Sequence, residues 1–183
     1  MRITKERLVR RWMAATVLAA IVFAVLAWSD LRLKSLSGFG TADLQGFSTA
    51  GEYRRAFMAW PSLYAVRAGF NWGLDYLLMP LYAAAFFYAG ILTREAFGPR
   101  PGRVRRILTV LAAVPIAAAL LDAVENALQF TLMLSGPTDS LARIALTVSN
   151  AKWVAIYIGM ALWLGALLAR QQERQQRRLK AGK

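Results

Sequence analysis

The sequence predicts an all-α polytopic membrane protein, a bundle of four transmembrane helices with a short amphipathic helix in one long outer loop. Three observations carry this expectation. Of the 183 residues, 57% are hydrophobic, and the mean hydropathy is +0.39. A soluble domain of this length needs less apolar surface. The apolar residues gather into runs long enough to cross a hydrocarbon core of ~30 Å at ~1.5 Å per residue. Most of the charged residues sit in short clusters beside those runs.

The first run, Trp12–Trp28, has a Trp at each end and follows Arg2, Lys5, Arg7, Arg10 and Arg11. It reads as a retained anchor. A cleaved signal peptide is the competing reading, but the run is long for an h-region of ~7–15 residues. Residues 29–71 form the one long loop, turn-rich in its first half at Gly38, Gly40, Gly46 and Gly51. Ser48 or Thr49 can cap a helix through Glu52 to Trp60. Tyr53, Phe57 and Trp60 share one face of it. With Arg67, these residues form a candidate lid over the bundle; plain packing on the neighbouring spans is the alternative.

The second span covers 72–92, with a start as early as Ser62 left open and a kink expected at Pro80. Ala83, Ala84, Ala85, Ala89 and Gly90 suit close helix contact. The linker to the third span carries Arg94, Arg100, Arg103, Arg105 and Arg106, with Pro99 and Pro101. The third span covers 107–134, with Pro115 inside it, and closes at Gly136-Pro137. The fourth covers 141–169, and a basic tail runs from 170 to 183, either as a helix extension or disordered.

The formal charge is +13, from 23 basic and 10 acidic residues. Nucleic-acid binding does not follow, because the clusters flank apolar runs. That pattern suits topology signals and anionic headgroup contacts. The N-terminal segment, the middle linker and the tail hold most of the Lys and Arg. Both termini are therefore expected to be cytoplasmic, in a bacterial inner membrane. The chain has no Cys and no His, which excludes disulfides, thiol nucleophiles, Ser-His triads and His-ligated metals. No metal site and no cofactor class is assigned. No internal repeat supports an inverted-repeat transporter.

The unusual chemistry lies in Leu120–Phe130. Asp122, Glu125, Asn126 and Gln129 fall three, four and seven apart, so they share one helix face. Ionisable groups inside a span are costly and mark functional sites by default. Counting inward from the cytoplasmic ends, these residues, Asp75 in the second span, and Asn150 and Lys152 in the fourth reach one depth in the outer third. They make a candidate pocket of Asp75, Asp122, Glu125, Asn126, Gln129, Asn150 and Lys152. Its three carboxylates exceed its single ammonium by two charges. One or more of them should be protonated, hydrated, paired with Arg67 or holding a cation. The bland alternative is that Lys152 simply locks two helices together.

The segments Leu74-Asp75-Tyr76, Asp122-x-x-Glu125-Asn126, Lys152 and Asp43-Leu44-Gln45 together resemble a group of uncharacterised bacterial four-span membrane proteins. That resemblance implies the four-span fold and brings no activity with it. Three functions remain in view. The first is a binding component whose outer pocket takes a cation, an amine or a lipid headgroup. The second is a membrane enzyme acting on a lipid or isoprenoid headgroup, with Asp122 or Glu125 as acid/base. The third is a structural or assembly subunit. No aspartate-rich prenyl-diphosphate motif and no Gly-x-Gly-Asp motif supports the second. The bilayer is the expected partner, with a homo-oligomer or a small-molecule or lipid ligand left open.

Overall fold

A computed structural model describes residues 4–97 and 102–181. Arg2, Pro99, Arg100, Pro101 and Lys183 lie outside them. The described residues form five α-helices and one 3-10 turn, with no strand: α1 Lys5–Ser37, the turn Ala42–Gly46, α2 Ala50–Met58, α3 Ser62–Ala96, α4 Arg103–Ser135 and α5 Asp139–Ala181. Four of these helices, all but α2, are long and apolar enough to cross a membrane.

Each helix outruns its apolar segment. At ~1.5 Å per residue, the 33 residues of α1 span about 50 Å, against a core of ~30 Å. The flanking Lys, Arg, Glu and Gln are good helix formers, so the helix continues where the lipid ends. The connection between α1 and α3 is accordingly shorter than 29–71 and covers only 38–61. The earlier start near Ser62 is the one adopted. The basic tail is helical through Ala181, as part of α5.

Local sequence fixes the ends. The Thr4 hydroxyl accepts from Arg7 N at the start of α1. Gly38 closes α1 in the left-handed region, φ 83°, and donates to Lys34 O at 2.8 Å; that conformation suits glycine. A capping box starts α2, with Thr49 and Glu52 satisfying each other's backbone. Ser48 N and Thr49 N donate to Glu52 Oε2, each at 2.9 Å. These bonds hold the Glu52 carboxyl below the usual carboxylate range, the Ser48 contact acting most strongly. A carboxyl lowered by folding stabilises the folded state above its unfolded value near 4.5 and loses that contribution as pH falls towards the lowered folded value. The protection factors of the α2 amides, with the intrinsic pH dependence of exchange divided out, are therefore expected to fall on acidification below pH ~4.5 in the native chain, and less so in Glu52→Gln.

Within the bundle α3 packs against α1, α4 and α5, and α4 packs against α5. Small residues bring the helices close, as the sequence suggests. A Cβ on Gly90 would lie 2.9 Å from Ala112 Cα, and one on Gly159 would lie 2.6 Å from a Phe86 ring carbon. On α5 the buried residues are Ala142, Ala145, Ser149, Lys152, Ala155, Gly159, Leu162 and Ala166. Their spacing of three and four makes one continuous inward stripe.

The loop folds back as a cap on one end of the bundle. Tyr53, Ala56, Trp60, Leu44, Leu33, Trp72 and Leu132 form one buried cluster. Asp30, at the end of the first apolar run, anchors the loop. It accepts from Thr41 Oγ1 at 2.7 Å and Asn71 Nδ2 at 3.2 Å, while Ser29 Oγ donates to Asn71 Oδ1 at 2.6 Å. Gly40 lies directly on that carboxylate, where a Cβ would sit 2.9 Å from Asp30 Cγ. Asp139, in the first turn of α5, accepts from Ala50 N at 2.7 Å. Trp153 Nε1 donates to Gln45 Oε1 at 2.9 Å. Gly40→Ala is expected to free the loop from α1, read as faster proteolysis between 38 and 61 with the spans intact. At the opposite end Lys5 pairs with Glu173, and Glu95 accepts from both Arg94 and Arg105. Such exposed pairs contribute little each.

Candidate functional site

The polar residues of three helices meet beneath the cap. α4 supplies Asp122, Glu125, Asn126 and Gln129, all buried because their spacing keeps them on its packed side. α5 supplies Lys152 from its inward stripe, and α3 supplies Trp72, Asp75 and Tyr82. The groups connect in series. Trp72 Nε1 donates to Gln129 Oε1 at 3.1 Å, and Gln129 Nε2 donates to Glu125 Oε1 at 2.8 Å. Lys152 Nζ sits 2.5 Å from Glu125 Oε2 and donates to Asp122 Oδ1 at 3.0 Å. Tyr82 OH donates to Asp122 Oδ2 at 3.1 Å.

Lys152 thus bridges two carboxylates one helical turn apart on α4. Glu125 is 0% exposed and Lys152 2%. Neither charge can be solvated there, so each depends on the other. Asp75 adds a third carboxylate. Its Oδ2 accepts from Asn126 Nδ2 at 2.9 Å, and it is close enough to Asp122 and Lys152 to interact with their charges. Asp75 is only half-buried.

Of the residues expected at this site, Asp75, Asp122, Glu125, Asn126, Gln129 and Lys152 come together. Asn150 does not: it is exposed on the outer side of α5. Its neighbour Ser149 turns inward instead, 1% exposed, towards Glu125. The Ser149 hydroxyl has no hydrogen-bond partner among the described residues. Sequence reasoning passed over Ser149, Trp72 and Tyr82. The step of three from Ser149 to Lys152 was the available signal for the first.

Tyr53, Phe57 and Trp60 lie where a lid would, with their rings packed in series. Ring contacts run from Phe39 through Phe47, Tyr53, Phe57 and Trp60 to Trp72 and Phe130, at 5.4 to 6.4 Å between centroids. Trp72 therefore belongs both to the cap and to the polar series. Tyr53 OH donates to Leu44 O at 3.0 Å. Burial pushes the Tyr53 phenol above its ordinary value, and the Glu125 and Glu52 carboxylates push it the same way. Arg67 stands apart from the acids. It is half-buried, pairs with no carboxylate, and its Nη1 is buried without a hydrogen-bond partner among the described residues. An open groove of about 400 Å³, lined by Ser140, Arg143, Ile144, Thr147 and Val148, lies elsewhere, on the side of α5 that faces away from the bundle.

Fold and site define a four-helix membrane protein with a capped cluster of carboxylates around one lysine. No protein-family model matches the chain, and none of the curated proteins or solved structures compared with it is significantly similar. The group of bacterial four-span proteins suggested by the sequence therefore gains no support from these comparisons.

Proposed function

We propose that this chain is a bacterial inner-membrane protein, with both termini cytoplasmic, whose capped polar cluster binds a cation or protonated amine at Asp75. The observation that carries this reading is the charge balance. Lys152 neutralises one of the three carboxylates Asp75, Asp122 and Glu125, and the one it does not touch is the half-exposed one. Excess negative charge in a low-dielectric site favours a proton or a cationic partner. Among the described residues, Asn126 engages Oδ2 of Asp75, leaving Oδ1 for that partner. The structural alternative draws on Lys152, whose bridge already joins α4 to α5. Turnover of a headgroup is the less supported alternative, because Asp122 and Glu125 are both committed to Lys152.

Calorimetric titration of the detergent-solubilised protein with ethylammonium and with sodium tests the reading. Saturable binding that weakens by roughly 10-fold or more in Asp75→Asn is expected, the scale of a lost charged hydrogen bond. No saturable heat with either probe would leave the structural alternative. For the orientation, single cysteines at Gly46 and Gly102 are expected to label from opposite sides, Gly46 from outside. Labelling from one side only would remove the four-span topology.

A further inference from the structure

Asp75 is half-exposed at a position where its own helix is otherwise closed. Ala68, Asn71, Trp72, Leu78, Met79 and Tyr82, three, four and seven residues away on either side, are all buried. Asp75 therefore sits in the middle of the packed face of α3, yet it is only half-buried. The covering helix at this level is α1, and its cover is thin. Side-chain contacts join α1 to α5 at Lys5–Glu173, Trp12–Trp163 and Trp163–Thr16. Beyond Thr16, from 17 to 28, α1 has no fully buried residue and meets the core only through the partly buried Ala19, Val22 and Leu26. Towards the cap it is fastened again by Ser29 and Asp30.

A second polar group lies on the same ridge. Arg67, Asn71 and Asp75 follow one another at steps of four, so they line one side of α3. Asn71 is satisfied by Ser29 and Asp30 of α1. Arg67 is not: among the described residues it has no carboxylate partner, and its Nη1 is buried and unbonded. Arg67 and Asp75 are about 12 Å apart along the helix axis. A cation site inside the bundle and an unpaired guanidinium nearer the cap together complement a zwitterion. From α5, the buried Ser149 hydroxyl faces the same cluster from the Glu125 side.

We propose that the side of the bundle between α1 and α5 admits the headgroup of an aminophospholipid from the surrounding bilayer, its ammonium on Asp75 and its phosphate on Arg67. This deepens the cation-binding reading and rests on it. A free ammonium carries N–H donors for Asp75, whereas a quaternary choline has none. Planar guanidinium suits phosphate. An aminophospholipid should thus be preferred over both a choline lipid and an anionic glycerol lipid.

Native mass spectrometry of the full chain in detergent, titrated with phosphatidylethanolamine, phosphatidylcholine and phosphatidylglycerol, tests this. The expected result is one lipid retained, with phosphatidylethanolamine held about 10-fold more tightly than either competitor, a charged hydrogen bond's worth of discrimination. Asp75→Asn is expected to abolish the preference over phosphatidylglycerol. Arg67→Gln should weaken all three phospholipids. Equal retention of the three lipids by the native protein overturns the proposal, and needs no variant to be folded. If ethylammonium still binds through Asp75 in that case, the cation site stands and only the lipid falls. If neither ethylammonium nor phosphatidylethanolamine binds, both readings fall together.

Discussion

Lys152→Met is expected to destabilise the folded protein by about 3–5 kcal/mol, the scale for removing one partner of a buried ion pair. The lysine lies within 3.0 Å of Asp122 and 2.5 Å of Glu125, all three almost wholly buried. Its loss leaves two carboxylates facing each other without a counter-charge. Methionine fills similar volume, so the loss is electrostatic rather than a cavity. Lys152→Met combined with Glu125→Gln should be milder than Lys152→Met alone, because one of the stranded charges goes with it. Reversible unfolding in mixed micelles can follow the double-mutant cycle. Strictly additive effects would mean that the lysine does not depend on Glu125.

The second large effect is expected from Gly90→Leu. A Cβ there would already lie 2.7 Å from Ala112 Cβ and 2.9 Å from Ala112 Cα. The latter is backbone and cannot rotate away, so α3 and α4 must part. Overpacking of this kind costs about 1–3 kcal/mol, and a leucine belongs at the upper end. Gly159→Ala should be gentler, because its nearest neighbour is the Phe86 side chain. The comparison can be read from midpoint temperatures of the two variants.

The four spanning helices were legible because apolar runs and flanking basic clusters report directly on the bilayer. The inward face of α4 was legible too, since Asp122, Glu125, Asn126 and Gln129 repeat at helical spacing. Asn150 was misplaced by depth alone. It matches Lys152 in height but sits about 200° round the helix from it, and the buried stripe selects Ser149 instead. Trp72 and Tyr82 could not be read from the chain. An indole or phenol in an apolar run looks like packing until a partner on another helix is known. Asp30 was hidden for a related reason. Following the last Trp of the first run, it marks the end of hydrophobicity, yet the helix continues to Ser37 and makes Asp30 the anchor of the loop.

The ring series of the cap has an optical consequence. Trp60 and Trp72 have centroids 6.4 Å apart, so light absorbed by one indole passes readily to the other. Trp72 alone of the pair donates its N–H to the amide that leads to Glu125. Its emission wavelength thus senses the charge state of the carboxylate cluster, while its quenching senses the seating of the loop. Trp60→Phe separates the two signals without removing the aromatic contact. With Trp12, Trp28, Trp153 and Trp163 also replaced by Phe, steady-state fluorescence of that variant gives an intrinsic, label-free readout of how the buried charges respond to an added ligand.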